Sequence, residues 1–323
     1  MAGGRVSLAC VADDLHATDQ LILTRLSSDV ALINQIGHHI IQSGGKRVRP
    51  LMLLLAAKAC GYQGAHHHTM AAVVEFIHTS TLLHDDVVDE ADTRRGKATA
   101  NANWGNAASV LVGDFLYSRS FELMVEPQNL RILSIMAEAT NVIAAGEVLQ
   151  LLNCHDPDTD SERYFQVIYR KTAKLFEASA QLGAVLANQD SATEAALASY
   201  GKELGNAYQL IDDVLDYSAD ESELGKSLGK DLAEGKPTLP LILALARAEP
   251  EEQQLIRQAI AQGSDENLAQ ITAIIHRTGA LADTLKQALA ASDRAIDALS
   301  VLPESPYKTA LIELAELAVN RRH

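Results

Sequence analysis

"LLHDDVVDEADTRRG", residues 82–96, sets five acids and two arginines around a short apolar run. Asp85, Asp86 and Asp89 follow the pattern D-D-x-x-D, and on a helix Asp85 and Asp89 project from one face. Like charges at that spacing destabilise a helix, and the flanking residues are Leu and Val rather than solvating polar groups. The pattern returns at 210–220, "LIDDVLDYSAD", where Asp212 and Asp216 form the equivalent pair around Asp213. Asp85 and Asp212 stand 127 residues apart, too far for a solenoid period but suited to two facing helices of one bundle. Two such motifs in apolar helical runs imply cations held between them. Paired hard-oxygen ligands with room for water and phosphate suit Mg²⁺.

Outward from these motifs, apolar residues recur at three- and four-residue spacing almost throughout, which predicts amphipathic or buried helices. Breaks rich in Gly, Pro, Asp and Ser fall at 43–50, 60–69, 125–129, 153–162, 187–193, 225–240 and 247–253. None is a long low-complexity linker. The expected architecture is therefore all-α: a single large helical domain over residues 1–323 with roughly ten helices. Apolar residues make up 47 % and aromatics only 4 %, enough for a large core built from helix formers. The run His66–His68 could suggest metal, but it follows Gly64 and reads rather as a solvated surface tract in a loop.

The net charge of −15 excludes a nucleic-acid partner, since no basic face is evident to neutralise phosphates. Three scattered cysteines form no CxxC pair and no disulfide framework, as suits a reducing cytoplasm. The N-terminus has no basic-then-apolar leader pattern, and no uninterrupted apolar run approaches the ~20 residues that span a bilayer. A soluble cytoplasmic protein is expected.

An anionic substrate would meet a repulsive average field unless local cations reverse it. "GGKRVRP" (44–50) offers Lys46, Arg47 and Arg49 behind two glycines, and Arg94 and Arg95 follow the first acidic motif. Lys171, Lys226, Lys230 and Lys236 lie beside Thr172, Gly225, Gly229 and Pro237. Together they suffice for two diphosphates, one on metal and one on side chains alone. No G-x-S-x-G, Walker A or H-E-x-x-H motif competes. Metal-assisted departure of diphosphate into a dry, apolar cavity is the chemistry this set supports.

The ordered series "GGKRVRP", "HTSTLLHDDVVDEADTRRG", "KTAKLFEASA", "QLIDDVLDY" and "GKSLGKDLAEGKPTLP" resembles the trans-prenyl diphosphate synthases, and within them the bacterial octaprenyl-forming branch. The resemblance implies an isoprenoid-synthase helical bundle with a central cavity. It implies a Mg²⁺-dependent prenyltransferase that adds isopentenyl diphosphate head-to-tail to an allylic diphosphate such as farnesyl diphosphate. The product would be about C40, for a quinone side chain. It assigns metal to Asp85, Asp89 and Asp212, supported by Asp86, Asp213 and Asp216, with three ions per site. Arg94, Lys171, Thr172, Gln209, Lys226 and Lys236 would contact the allylic diphosphate or leaving group, and Lys46, Arg49, His78 and Arg95 the diphosphate of isopentenyl diphosphate. A homodimer is implied, with at most transient membrane contact for release of an apolar product.

Product length is expected to depend on the face of the first-motif helix that runs back from Asp85. Thr81 and Ser80 lie one turn back, then Ile77 and Val74. Short-chain relatives close the pocket there with aromatics. Here none is aromatic, so the floor is expected to be open, although small residues there would also serve close helix packing. Met124 and Met136 are candidates to line the tunnel further on. The alternatives are a synthase of another chain length, a class I terpene cyclase, or a non-catalytic subunit of a heteromeric synthase. A cyclase has no use for a second diphosphate site, and a silent subunit generally loses aspartates that are all present here.

Overall fold

The computed structural model describes residues 8–42, 45–94, 96–218 and 228–321. Its first helices are α1 (Ala12–Leu26), α2 (Ala31–Gln42), α3 (Val48–Ala59) and α4 (His66–Val88). A two-residue hairpin, β1 (Thr93–Arg94) with β2 (Lys97–Ala98), separates α4 from α5 (Ala100–Trp104). The long central helices are α6 (Asn106–Met124), α7 (Leu130–Asn153), α9 (Lys174–Leu186) and α10 (Ser191–Asp216). Between α7 and α9 lie α8 (Ser161–Ile168) and a π-helical turn, Tyr169–Ala173. After α10 come α11 (Lys230–Ala233), α12 (Leu239–Arg247), α13 (Pro250–Gln262), α14 (Leu268–Arg277), α15 (Ala280–Ala298) and α16 (Pro306–Val319). The fold is all-α apart from the hairpin. There are more helices than the sequence spacing suggested, in part because the short α11 occupies a stretch read as loop.

Helices α3, α4 and α9 form the centre. Helix α3 packs on α4 and α9, α6 lies along α4, and α9 lies along α10. Val73, Val74, Phe76, Ile77 and Leu83 of α4 are fully buried, sharing a core with Leu116 of α6, Met136 of α7 and Leu182 of α9. A second core joins α3, α9 and α10 to α15 and α16 through Leu55, Phe176, Tyr200 and Leu311. Glycines allow the close approaches that set the site. A Cβ on Gly146 of α7 would lie 2.6 Å from Arg170 Cβ, and one on Gly205 of α10 2.6 Å from Ala173 Cα. Both glycines seat their helices on the π turn, the kind of local irregularity that concentrates at functional sites.

The His66–His68 tract is a correction to the sequence reading. It forms the first turn of α4, and His67 is fully buried. Its partner is Asp14 of α1, a contact 53 residues away that local propensity cannot register. Helix α7 is also long and apolar enough, by length and composition, to cross a membrane, although only 39 % of its apolar window is buried in the fold.

Candidate active site

Both acidic motifs sit where helices end. Asp85 and Asp86 occupy the last turn of α4 and Asp89 is its C-cap, while Asp212, Asp213 and Asp216 close α10. The C-terminal end of a helix carries partial negative charge, so each cluster of carboxylates adds to an unfavourable field that only cations relieve. Helix α4 stops in a Schellman pattern: Glu90 N–H bonds Val87 O at 3.2 Å and Ala91 N–H bonds Asp86 O at 2.9 Å. Glu90 takes a left-handed φ of 50°, a conformation non-glycine residues rarely hold. The turned chain enters the β1–β2 hairpin, which returns Arg94 to Asp86, with Nη2 and Nε at 2.8 and 2.9 Å from Asp86 Oδ1. Asp86 is buried, and its Oδ2 has no hydrogen-bond partner among the described residues.

The π turn projects Lys171 at the first motif. Lys171 Nζ stands 3.2 Å from Asp85 Oδ2, 2.7 Å from Glu147 Oε2 and 2.7 Å from Gln150 Oε1. Burial opposes the ammonium charge, but Asp85 and then Glu147 overcome it and hold the Lys171 pKa above the ordinary lysine value. Burial first, then the charge of Asp85, pushes the Glu147 carboxyl up to about 7. The next residue reaches the second motif, since Thr172 Oγ1 donates to Gln209 Oε1 at 3.0 Å and Gln209 Nε2 donates to Asp213 Oδ1 at 2.9 Å. Tyr164 OH of α8 donates to the other oxygen of Asp213. Burial pushes the Asp213 carboxyl up to about 7, against those two hydrogen bonds.

A second route joins the motifs. Lys236 Nζ lies 3.1 Å from Asp89 Oδ2 and 2.6 Å from Glu234 Oε2. Its own N–H bonds Asp231 O at 2.8 Å, and the Asp231 N–H donates to Asp216 Oδ2 at 3.0 Å. Gly229 (φ 72°) and Gly235 (φ 66°) bracket this segment in the left-handed region. Asp212 pairs with Arg321 near the C-terminus, Oδ1 to Nη1 at 3.1 Å, and that guanidinium lies 3.4 Å from the Tyr208 ring centroid.

Lys46, Arg49 and His78 line one small cavity together with Thr79, Phe176 and Tyr208. Arg47 begins α3 with a left-handed φ of 44° and is tied to Asp19 at 3.0 Å and Glu75 at 3.4 Å. Arg47 and Glu75 line the same cavity as Lys46 and Arg49, so Arg47 is at once a wall of the cavity and a tie to its neighbours. The Arg49 guanidinium stacks 4.3 Å from the Phe176 ring centroid. A larger, apolar cavity of about 380 Å³ lies alongside, between Leu51, Leu204 and Leu314. Its lining reaches neither acidic motif except through Arg321, which pairs with Asp212. Arg95 and Lys226 lie outside the described residues.

Ser80 is buried in the α4–α6 contact, its hydroxyl donating to Gly113 O at 2.8 Å. Thr81 Oγ1 donates to His78 O at 2.7 Å, and Ile77 and Val74 lie in the core that also holds Met124 and Met136. Sequence reasoning missed Glu147, Gln150, Tyr164, Glu234 and Arg321. Only the i, i+3 spacing of Glu147 and Gln150 beside Gly146 could have drawn attention to any of them.

The chain as a whole is similar to known proteins. The polyprenyl synthetase family profile matches residues 30–277. The chain is 54 % identical over 311 residues to an octaprenyl diphosphate synthase of Escherichia coli (strain K12), covering 96 % of each chain. It is 48 % identical to a geranyl-diphosphate-specific all-trans-nonaprenyl-diphosphate synthase of Rhodobacter capsulatus, covering 97 % of each. A crystal structure of a polyprenyl synthase from Caulobacter crescentus CB15, complexed with calcium and isoprenyl diphosphate, superposes with a TM-score of 0.95 at 46 % identity, covering all of both chains.

Proposed function

Since the chain belongs to the polyprenyl synthetase family, we propose that it is a long-chain trans-prenyl diphosphate synthase extending an allylic primer such as farnesyl diphosphate to about C40, for a quinone side chain. One observation carries the reading. Two carboxylate clusters at helix ends are joined through Lys171–Thr172–Gln209 and through Lys236–Asp231, and a separate cationic cavity holds Lys46, Arg49 and His78. That is one diphosphate place built on acids and one built on side-chain cations.

The donor set fits Mg²⁺: carboxylate oxygens only, crowded at two negative helix ends, with a buried and unpartnered Asp86 Oδ2 behind them. Asp85, Asp89 and Asp212 would hold the ions, three in the family pattern, with Asp86, Asp213 and Asp216 behind them. Bound there, the ions would neutralise charge developing on the departing diphosphate. Lys171, Lys236 and Arg94 would turn from their carboxylate partners toward the same phosphate oxygens, with Thr172 and Gln209 beside them and Lys226 as a further cation. Lys46, Arg49, His78 and Arg95 would hold the second diphosphate so that its double bond meets C1 of the allylic chain. The proton lost on condensation would pass to the released diphosphate, so no dedicated base is required.

The growing chain would run along α4 past Ser80, Thr81, Ile77 and Val74 toward Met124 and Met136. Large exposed apolar residues gather on α6 and α7, among them Leu111, Val125, Leu130, Val148, Leu151 and Leu152. A homodimer interface would cover such a face. It also accounts for the apolar, half-exposed character of α7 without a membrane, in keeping with a cytoplasmic enzyme. The discriminating experiment is Mg²⁺-dependent diphosphate release with and without isopentenyl diphosphate. Release only with both substrates is expected. Release from the allylic substrate alone would indicate a cyclase, and none under any condition a non-catalytic subunit.

A further inference from the structure

At the opposite end of α4, eighteen residues before Asp85 and so about 27 Å along the helix axis, lies a second cluster of ligand-type atoms. The Nε2 atoms of His67 and His68 each stand 2.8 Å from the same oxygen of Asp14, and the three ligand atoms lie within 4.8 Å of one another. Asp14 comes from α1 and both histidines from the first turn of α4. The His67 side chain is 1 % exposed, while Asp14 and His68 are 14 % and 23 % exposed, so the cluster is walled on one side and open on the other.

Imidazoles ligate metal in their neutral form, through a ring nitrogen such as the Nε2 atoms gathered here. Lys58 Nζ lies 3.7 Å from Asp14 Oδ2, which leaves Oδ1 to face the rings. Two imidazole nitrogens and one carboxylate oxygen are a borderline donor set, unlike the all-oxygen set at the other end of the helix. Tetrahedral zinc at about 2.0–2.1 Å needs ligand atoms about 3.3 Å apart, so the pairs at 2.8 Å would open by roughly half an ångström.

We propose that Asp14, His67 and His68 form a zinc-type transition-metal site, separate from the catalytic aspartates, that staples α1 to the start of α4 and leaves its remaining coordination to water. The test uses the full chain, stripped with chelator and titrated with ZnCl₂ in excess Mg²⁺, so that the aspartates are already occupied. Calorimetry and thermal melting are compared for the native protein, His68→Ala and Asp14→Asn. One zinc per chain is expected, raising the melting temperature by about 3–6 °C at a hundredfold excess over Kd. Both variants should lose that uptake and that shift, with Mg²⁺-supported prenyl transfer unchanged. Because His68 is partly exposed, its variant alone decides the matter should Asp14→Asn not fold. No zinc uptake by the native protein would overturn the proposal, as would uptake that persists in His68→Ala.

Discussion

Replacing Lys171 with Met keeps the length of the side chain and removes the one cation set between Asp85, at 3.2 Å, and Glu147, at 2.7 Å. The three side chains are 19 %, 16 % and 29 % exposed, so water screens the remaining acids only in part. Breaking a buried ion pair on one side costs about 3–5 kcal/mol, and partial exposure places this case near the lower end, at roughly 3 kcal/mol without metal. Mg²⁺ held at Asp85, as proposed, would return positive charge there and reduce the loss to about 1–2 kcal/mol. Adding Glu147→Gln removes the repulsion and should recover about 1–2 kcal/mol in the metal-free Lys171→Met background, although the same change alone destabilises the native protein. Urea midpoints for the four proteins, with and without Mg²⁺ at fixed protein concentration, measure all of these. Prenyl transfer by Lys171→Met should fall by about 10²–10³, the usual cost of removing one positioned group that stabilises leaving-group charge. A Lys171→Met protein within 1 kcal/mol of native stability, or a double variant weaker than the single one, would refute the electrostatic reasoning.

Three further outcomes are expected. Ser80→Phe fills the α4–α6 contact where Ser80 Oγ meets Gly113 O, so it should lower stability by about 1–3 kcal/mol and shorten the product by mass; unchanged product length would remove Ser80 from the growth path. Tyr164→Phe leaves one oxygen of the buried Asp213 without its donor, so it should cost about 1–3 kcal/mol in urea unfolding and raise the Mg²⁺ concentration needed for half-maximal activity; a neutral change would mean that the oxygen finds another partner. Burial pushes the Cys60 thiol up to about 11, so its alkylation at pH 8, followed by peptide mass spectrometry, should run roughly a hundredfold slower than an ordinary thiol and rise about tenfold per pH unit; labelling at the free-thiol rate would contradict that burial.

What the sequence disclosed, and what it withheld, follows from the range over which each signal acts. The helical class is written in three- and four-residue spacing, and the aspartate motifs announce themselves because buried like charges need a reason. Their placement at helix ends could only be seen in three dimensions. Partners such as Glu147 and Tyr164 lie in ordinary helical tracts, and become meaningful only because Gly146 and Gly205 let α7 and α10 seat against the π turn. The same holds for His67. Glycines at 61 and 64 argue locally for a loop, but the bond from Asp14 draws the tract into α4. Arg47 shows a related case, a cation of the 44–50 run whose ion pairs with Asp19 and Glu75 could not be read from the run itself.

The most direct test of the account is the mass of the product formed from farnesyl diphosphate, excess isopentenyl diphosphate and Mg²⁺. A dominant all-trans C40 diphosphate is expected. Properly folded protein that forms no elongated product would contradict it.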